Sequence, residues 1–453
     1  MTVSDGIPAA IESWHEGLTP ELAEESAQWL TGQLRRRGLF FGERPLCTVL
    51  RPRFLAPGQY DLARSRLAIL LEAFDRALRA ALERPDVLEQ FRLQDWERTL
   101  ALEEPRVDAS PVSRLDAFVD PADGRLLCTE YNAETPAGSA YNDALTDLFL
   151  ALPVMRRFAE THVVRPLPVR HHVLHALLRA WNRWSGRGGA PVIGILDWLD
   201  VPTRSEFELY REYFESAGLP CVVADVRSAE YRGGRLVAGG REIDLVYKRV
   251  LVSELVGREG LGHPLVRAVR EGAVCMVNPF RCKILHKKAS LAVLSDERNA
   301  ALFTPRERWA IREHVPWTRV VEERRTELAG QPIDLVPWIR DHRSGLVLKP
   351  NDEYGGTGIV LGWEVGPEAW DAALARALAE PYIVQQRIAL PSESFPSFAD
   401  GGLVYADRIV DTAPFAFDGR FVDGCLTRVS TATLVNVTAG GGSTVPTLVV
   451  EKR

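Results

Sequence analysis

SRLDAFVDPADGRLLCTEYN, residues 113–132, reads as two strand-like runs, 113–120 and 125–132, joined by a turn around Asp123-Gly124. Residues two apart on a strand share a face, so Arg114 and Asp116 point one way and Glu130 and Asn132 point together. A turn symmetric about Asp123 sets Asp116 opposite Glu130 and Arg114 opposite Asn132. Two carboxylates directly across a ladder repel, so something positive belongs between them. Oxygen ligands from two carboxylates and an amide suit a hard cation, Mg2+ above all, which keeps waters and shares its shell with phosphate oxygens. Arg114 beside it can hold a phosphate oxygen in a planar fork. The competing reading is a surface hairpin whose polar face meets water, and a register slip of one residue would break the pairing.

A second stretch, LVLKPNDEYGGTGIVLG (346–362), places Gly355, Gly356 and Gly358 between two apolar strands. Glycine lets the backbone approach a polyphosphate and turn its N–H groups inward as an anion nest. Lys349, on the strand before, can set an ammonium on the α- or β-phosphate. The Walker pattern is absent, because a strand rather than a helix follows the glycines, so the loop reads as a flap over a nucleotide. The plain alternative is a tight hairpin with a glycine turn. In NPFRCKILHKKASLAVLSD (278–296), read as a helix and its approach, Lys288 can reach a phosphate or the adenine edge; otherwise Lys283, Lys287 and Lys288 make a solvated lysine face. In YIVQQRI (382–388), Gln385 and Gln386 point to opposite faces of a strand that can present its backbone to adenine. Arg428 and Asn436, with the loop AGGGST (439–444), can meet an anionic substrate.

Around these stretches the chain is ordinary. Its 453 residues exceed what one core usually supports, so two or three packed units are expected. A net charge of −6 with mixed signs gives no electrostatic reason to expect nucleic acid. No apolar run spans a membrane, and MTVSDGIPAAIESWHEG lacks the basic-then-apolar order of a signal peptide. The six cysteines form no Cys-x-x-Cys pair, which suggests reduced, mostly buried thiols and a cytoplasmic protein. His171 and His175 stand four apart on a helix, but no acid lies between them in the zincin pattern. No nucleophile elbow is present.

Residues 1–110 read as helical, with Thr19-Pro20 opening one helix, Gly38 closing it, and a second from about Asp61 to Glu83. From 161 to 280 a helix over 166–184, the strand PVIGILDW (191–198), a helix with Thr203 and Glu206 as a capping box, PCVVADV (220–226) and IDLVYKRV (243–250) imply a small parallel α/β unit. A helix over 367–379 and a strand-rich tail from 402 to 450 complete the pattern.

Taken together, EYNAETPAG (130–138), HKKASLAVLSD (286–296), LVLKPNDEYGGTG (346–358) and YIVQQRI resemble the circularly permuted ATP-grasp proteins, whose best-known branch is the glutathionylspermidine synthase group. The resemblance covers residues from about 110 onward. It implies that Arg114-x-Asp116 and Glu130-x-Asn132 hold magnesium ions and the transferring phosphate, with Arg114 catalytic and Asp116, Glu130 and Asn132 as metal ligands. It implies further that Lys288 and Lys349 are the nucleotide lysines, that Gly355, Gly356, Thr357 and Gly358 form the flap, and that Gln385 or Gln386 sits at the adenine strand. In this family the metal motif precedes the nucleotide lysines, and that reversal is the permutation. The N-terminal residues are too short for the amidase domain of the bifunctional members, so hydrolase activity is not implied.

The expected architecture is therefore a mixed α/β and α+β, circularly permuted ATP-grasp fold. Its parts are a helical region (1–110), an ATP-grasp segment with the metal hairpin (111–160), a pre-ATP-grasp-like α/β unit (161–280) and a nucleotide-binding lobe (281–453). The expected activity is an ATP- and Mg2+-dependent ligase joining a small-molecule or peptide carboxylate to an amine. A phosphotransferase on the same fold and an inactive ATP-binding protein are the alternatives.

Overall fold

The computed structural model describes residues 6–41, 43–186, 188–433 and 442–453. Its largest sheet has nine strands and is built from distant parts of the chain. The hairpin strands Val112–Val119 and Leu126–Asn132 sit at one end, next to Ala413–Phe417 and Phe421–Ser430. The last strand, Gly442–Lys452, pairs in parallel with Arg53–Leu55 and antiparallel with His162–Pro166. The two ends of the chain are thus stitched into one sheet, and the strands after 392 join the hairpin rather than the strands around Lys349.

The hairpin alternates as its sequence requires. Leu115, Ala117 and Tyr131 face a core that includes Leu67, Leu70, Phe74 and Leu78 of the helix Pro57–Glu83. Phe74 and Tyr131 meet with ring centroids 4.4 Å apart. Arg114, Asp116, Glu130 and Asn132 consequently face the opposite side, into a cavity. Asp116 lies opposite Glu130 and Arg114 opposite Asn132, but a symmetric turn does not produce this. Nearer the turn the pairs are Val119 with Leu126 and Ala117 with Cys128, and Thr129 is a one-residue bulge that advances the register before Glu130.

Two four-stranded sheets flank the hairpin. One is parallel, ordered Cys275–Val277, Leu245–Lys248, Ile193–Asp197, Cys221–Asp225. The other is antiparallel, ordered Thr318–Val320, Tyr382–Gln386, Leu346–Pro350, Val360–Leu361. The helix Pro367–Ala379 covers the latter through Trp370, Leu374 and Ala377.

Several local expectations are corrected. The run 166–184 is not one helix: Pro166 ends a strand, and the helix is Arg170–Ser185. Thr203 makes no side-chain cap, and Glu206 instead accepts from the N–H groups of Gly138 (2.7 Å) and Ala140 (3.1 Å) at the start of the helix Ser139–Ala151. The helix over 283–296 breaks at Lys287, whose ψ of 133° is extended. The break follows from a competing partner, because Lys288 N–H donates to the Asn351 carbonyl (2.9 Å) rather than continuing the helix. The N-terminal region also carries the short strands Phe40–Phe41, Arg44–Pro45 and Arg53–Leu55 among its helices. All six cysteines are free and buried. Among the described residues no helix is long and apolar enough to cross a membrane.

Candidate active site

The hairpin's polar face, the strand bearing Lys349 and the parallel sheet together enclose a cavity of about 1340 Å³. Asp116 is buried between two arginines. Arg114 donates to it from Nε (2.7 Å) and Nη2 (3.0 Å), and Arg428 donates from Nη2 (2.8 Å). Burial pushes the Asp116 carboxyl up, but the two guanidinium groups outweigh it and hold the group well below the usual carboxylate range. Arg114 also reaches the Ala137 carbonyl, and Arg428 is held from behind by buried Asp411. Glu130 pairs with Lys288 Nζ at 3.0 Å and remains a quarter exposed. Burial raises it, and Lys288 and Lys349 bring it below its ordinary value.

Lys349 Nζ donates to the Gln385 side chain (2.7 Å) and to the Thr129 carbonyl (3.3 Å), joining the antiparallel sheet to the hairpin at the cavity. Burial lowers its ammonium to about 8, with Glu130 opposing. Gln385 is buried and braced by Thr318 Oγ1, whereas Gln386 is exposed; both line the cavity. Four cations, Arg114, Arg428, Lys288 and Lys349, therefore meet three carboxylates, Asp116, Glu130 and the Asp411 behind Arg428. Such a surplus of positive charge suits a polyanion.

The residues also fit a hard cation, within limits. Among the described residues no group of three or more His, Cys, Asp or Glu side chains is arranged to hold a metal. Asp116 Oδ2 accepts two guanidinium N–H groups and Oδ1 one. Glu130 and the Asn132 amide, which lines the cavity, are the more open oxygens. A donor set this thin suits Mg2+, which retains waters and borrows phosphate oxygens.

The glycine loop divides. Gly355 and Gly356 line the cavity, with φ of 65° and 81°. Thr357 and Gly358 are not part of that lining. A Cβ at Gly358 would lie 2.7 Å from the Pro350 ring, so this glycine serves the turn itself. Tyr354 at the loop tip donates to Glu254 on the parallel-sheet side (2.9 Å). Asn436 lies outside the described residues.

The lysines before the loop do not form a solvated face. Lys283 and Lys287 are buried, 1% and 2% exposed. Lys283 Nζ meets Glu134 (3.2 Å) and Asp352 (2.7 Å), and Lys287 Nζ meets Glu97 (2.6 Å) and Asp352 (2.9 Å). Asn351 adds bonds from Ala289 N–H (2.8 Å) and to the Phe91 carbonyl (2.9 Å). The start of the glycine loop is thereby anchored to the helices on either side of Lys288. Glu134 and Asp352 carry no local signal in the sequence, and for Asp197 and Arg249, at the ends of the parallel strands, the signal is a charged residue closing an apolar strand.

No protein-family model matches the chain. It is similar to "Putative glutamate--cysteine ligase 2-3" of Frankia alni, 27% identical over an alignment 335 residues long that covers 71% of this chain and 36% of that protein. It is similar to the like-named 2-2 protein of Frankia casuarinae, 26% identical over 340 residues, with the same coverage of each. The chain thus spans about a third of the length of the curated relatives it matches. A solved glutathione synthetase-like effector from Globodera pallida, in its apo form, superposes with a TM-score of 0.61 at 13% identity, covering 95% of this chain and 96% of that one. The fold is a mixed α+β fold like that of the effector, and the similar sequences carry ligase names.

Proposed function

We propose that the chain is an ATP-dependent carboxylate–amine ligase of the circularly permuted ATP-grasp type. The observation that carries this reading is one cavity lined by Asp116 and Glu130 together with Arg114, Arg428 and Lys349, with Lys288 buried against Glu130 outside the lining. In this reading residues 281–453 supply most of the nucleotide lobe, 111–160 the phosphate and metal hairpin, 161–280 a substrate-facing α/β unit, and 1–110 the support beneath the hairpin. The hairpin precedes Lys288 and Lys349 in the chain, which is the permuted order.

Lys288, Lys349 and the amides near Gly355 and Gly356 hold the polyphosphate, and the strand bearing Gln385 and Gln386 borders the base. Glu130, Asn132 and the remaining lone pair of Asp116 Oδ1 would hold Mg2+, which when bound neutralises charge between phosphate oxygens. Arg114 and Arg428 stabilise the phosphoryl group as it moves to a substrate carboxylate; this is catalysis by positioning and electrostatics. The acceptor amine then attacks the acyl carbon, the C–O bond to phosphate breaks, and amide, ADP and phosphate result. The flap excludes water from the acyl phosphate. Six free, buried thiols accord with a reducing compartment such as the cytoplasm.

The test is an ADP-release screen over acids and amines with mass detection, beginning with amino acids because the relatives' names specify glutamate and cysteine. A coupled product lighter than its two parts by one water supports the reading; a stable phosphorylated product with no amine requirement identifies a phosphotransferase instead.

Lys349→Ala is expected to weaken ATP binding about tenfold or more by calorimetry, through loss of a charge-assisted contact. Because the Lys349 ammonium is lowered to about 8, it is charged below that pH, and wild-type affinity should fall as pH rises through it. An unchanged dissociation constant in the variant would remove Lys349 from the nucleotide site.

A further inference from the structure

The cavity has a second end that the phosphate chemistry leaves unused. It lies against the carboxyl ends of the parallel sheet. The first strand of that sheet, Ile193–Asp197, is internal: the second, Cys221–Asp225, lies on one side and the third, Leu245–Lys248, on the other. Connectivity therefore reverses between the first and third strands. The crevice outside the carboxyl ends at such a switch point is where open α/β sheets take their ligands. Asp197 closes the first strand and Arg249 directly follows the third, and both line the cavity.

The two differ in how well they are partnered. Arg249 donates to the Pro136 carbonyl (2.9 Å), to the Tyr247 hydroxyl (3.3 Å) and to Glu206 (3.4 Å). Asp197 is 7% exposed, and its Oδ1 accepts from the Trp198 N–H (2.8 Å). Among the described residues it has no other hydrogen bond and no ion pair within 4.0 Å. Glu254, on the helix Val252–Glu259, lines the same space, but its oxygens are taken by Trp198 Nε1 and the Tyr354 hydroxyl. A buried carboxylate with one weak partner is costly unless something cationic completes it.

The floor between the two ends is a single segment. Arg249 holds the Pro136 carbonyl from one side and Arg114 holds the next carbonyl, Ala137, from the other. A ligand at Asp197 therefore shares one continuous cavity with the phosphate-facing arginine.

Resting on the ligase reading above, we propose that this end of the cavity is the acceptor subsite, and that Asp197 receives the ammonium group of a primary amine or amino acid and takes one of its protons, freeing the nitrogen lone pair to attack the acyl carbon as the C–O bond to phosphate breaks. The charged groups facing Asp197 are Arg249 and Lys248 from the adjacent strand and Glu254 from the helix. Burial pushes the Asp197 carboxyl up to about 7, with Arg249 opposing, so the anionic form that would bind an ammonium gains population as pH rises through that value.

Hydroxylamine separates this subsite from the activation chemistry. Being neutral near pH 7, it traps an acyl phosphate as a hydroxamate without needing a site for an ammonium group. Wild-type protein with ATP and an accepted acid should form hydroxamate, and methylammonium, ethanolamine, putrescine or glycine should displace it. Half-displacement should need less amine as pH rises through about 7. Asp197→Asn should keep hydroxamate formation, which also shows that it folds and binds ATP. It should need about tenfold more amine, as expected for loss of a charge-assisted bond, and show a shallower pH dependence than wild type, keeping only the part due to the rising free-base fraction of the amine. Asp197→Ser is the second variant. Equal displacement in wild type and variants, no displacement by any of these amines, or a flat wild-type pH response overturns the subsite. Absence of hydroxamate from wild type with every acid fails the ligase reading itself, and the subsite with it.

Discussion

Glu130→Ala is expected to lower turnover by about a thousandfold while leaving the protein folded, through loss of transition-state electrostatics. Glu130 is the more open of the two hairpin carboxylates and faces the cavity across from Asp116. Its removal leaves Lys288 without its carboxylate, but that ammonium keeps the Glu353 carbonyl at 2.6 Å. The far-ultraviolet spectrum and melting temperature should therefore change little, and ADP release under saturating ATP is the measurement. Activity within a few-fold of wild type would take Glu130 out of the reaction. Asp116→Ala is the poorer experiment. Asp116 neutralises both Arg114 and Arg428 in a buried position, so its loss costs stability of about 3–5 kcal/mol, and any loss of activity would be shared between chemistry and folding.

The second large effect is on stability. Glu134 is 1% exposed and accepts from Lys248 Nζ (3.1 Å), Lys283 Nζ (3.2 Å) and the Val252 N–H (2.6 Å). Glu134→Gln removes the charge that compensates Lys248, whose other hydrogen bond is to the Val250 carbonyl. Breaking a buried pair in this way costs about 3–5 kcal/mol. A melting temperature lower by about 5 °C or more should follow, and a change within about 1 °C would show that the network is not stabilising. The sign with pH is also defined. Burial raises Glu134, but Lys248, Lys283 and His286 outweigh it and hold it well below its ordinary 4.5. Its contribution is thus present above 4.5 and lost progressively in acid below it, a limb that the Gln variant should lack.

Features readable in the sequence were those written in neighbouring residues. Strand alternation put Arg114 with Asp116 and Glu130 with Asn132, and the glycine cluster marked the loop after Lys349. The helix Pro367–Ala379 begins and ends where its proline and apolar spacing place it. What could not be read depended on partners far along the chain. Lys283 and Lys287 look like surface lysines until Glu97, Glu134 and Asp352 converge on them. Glu206 has the spacing of a capping residue but is claimed by the Ser139–Ala151 helix. Asp197 is an unremarkable end to an apolar strand until the sheet order is known. The hairpin register was reached by a different route from the symmetric turn, since no local rule marks Thr129 as the inserted residue.

That inserted residue also changes what can be lost by mutation. Thr129 opposes no residue of the partner strand, and its carbonyl receives the Lys349 ammonium from 220 positions away. The clasp is made by main chain on one side, so replacing the threonine side chain leaves its oxygen in place. Loss of the Lys349 proton as pH rises through about 8 weakens the contact to a neutral N–H bond, so the seam between the hairpin and the antiparallel sheet depends on alkalinity and on residue 349 rather than on the identity of residue 129.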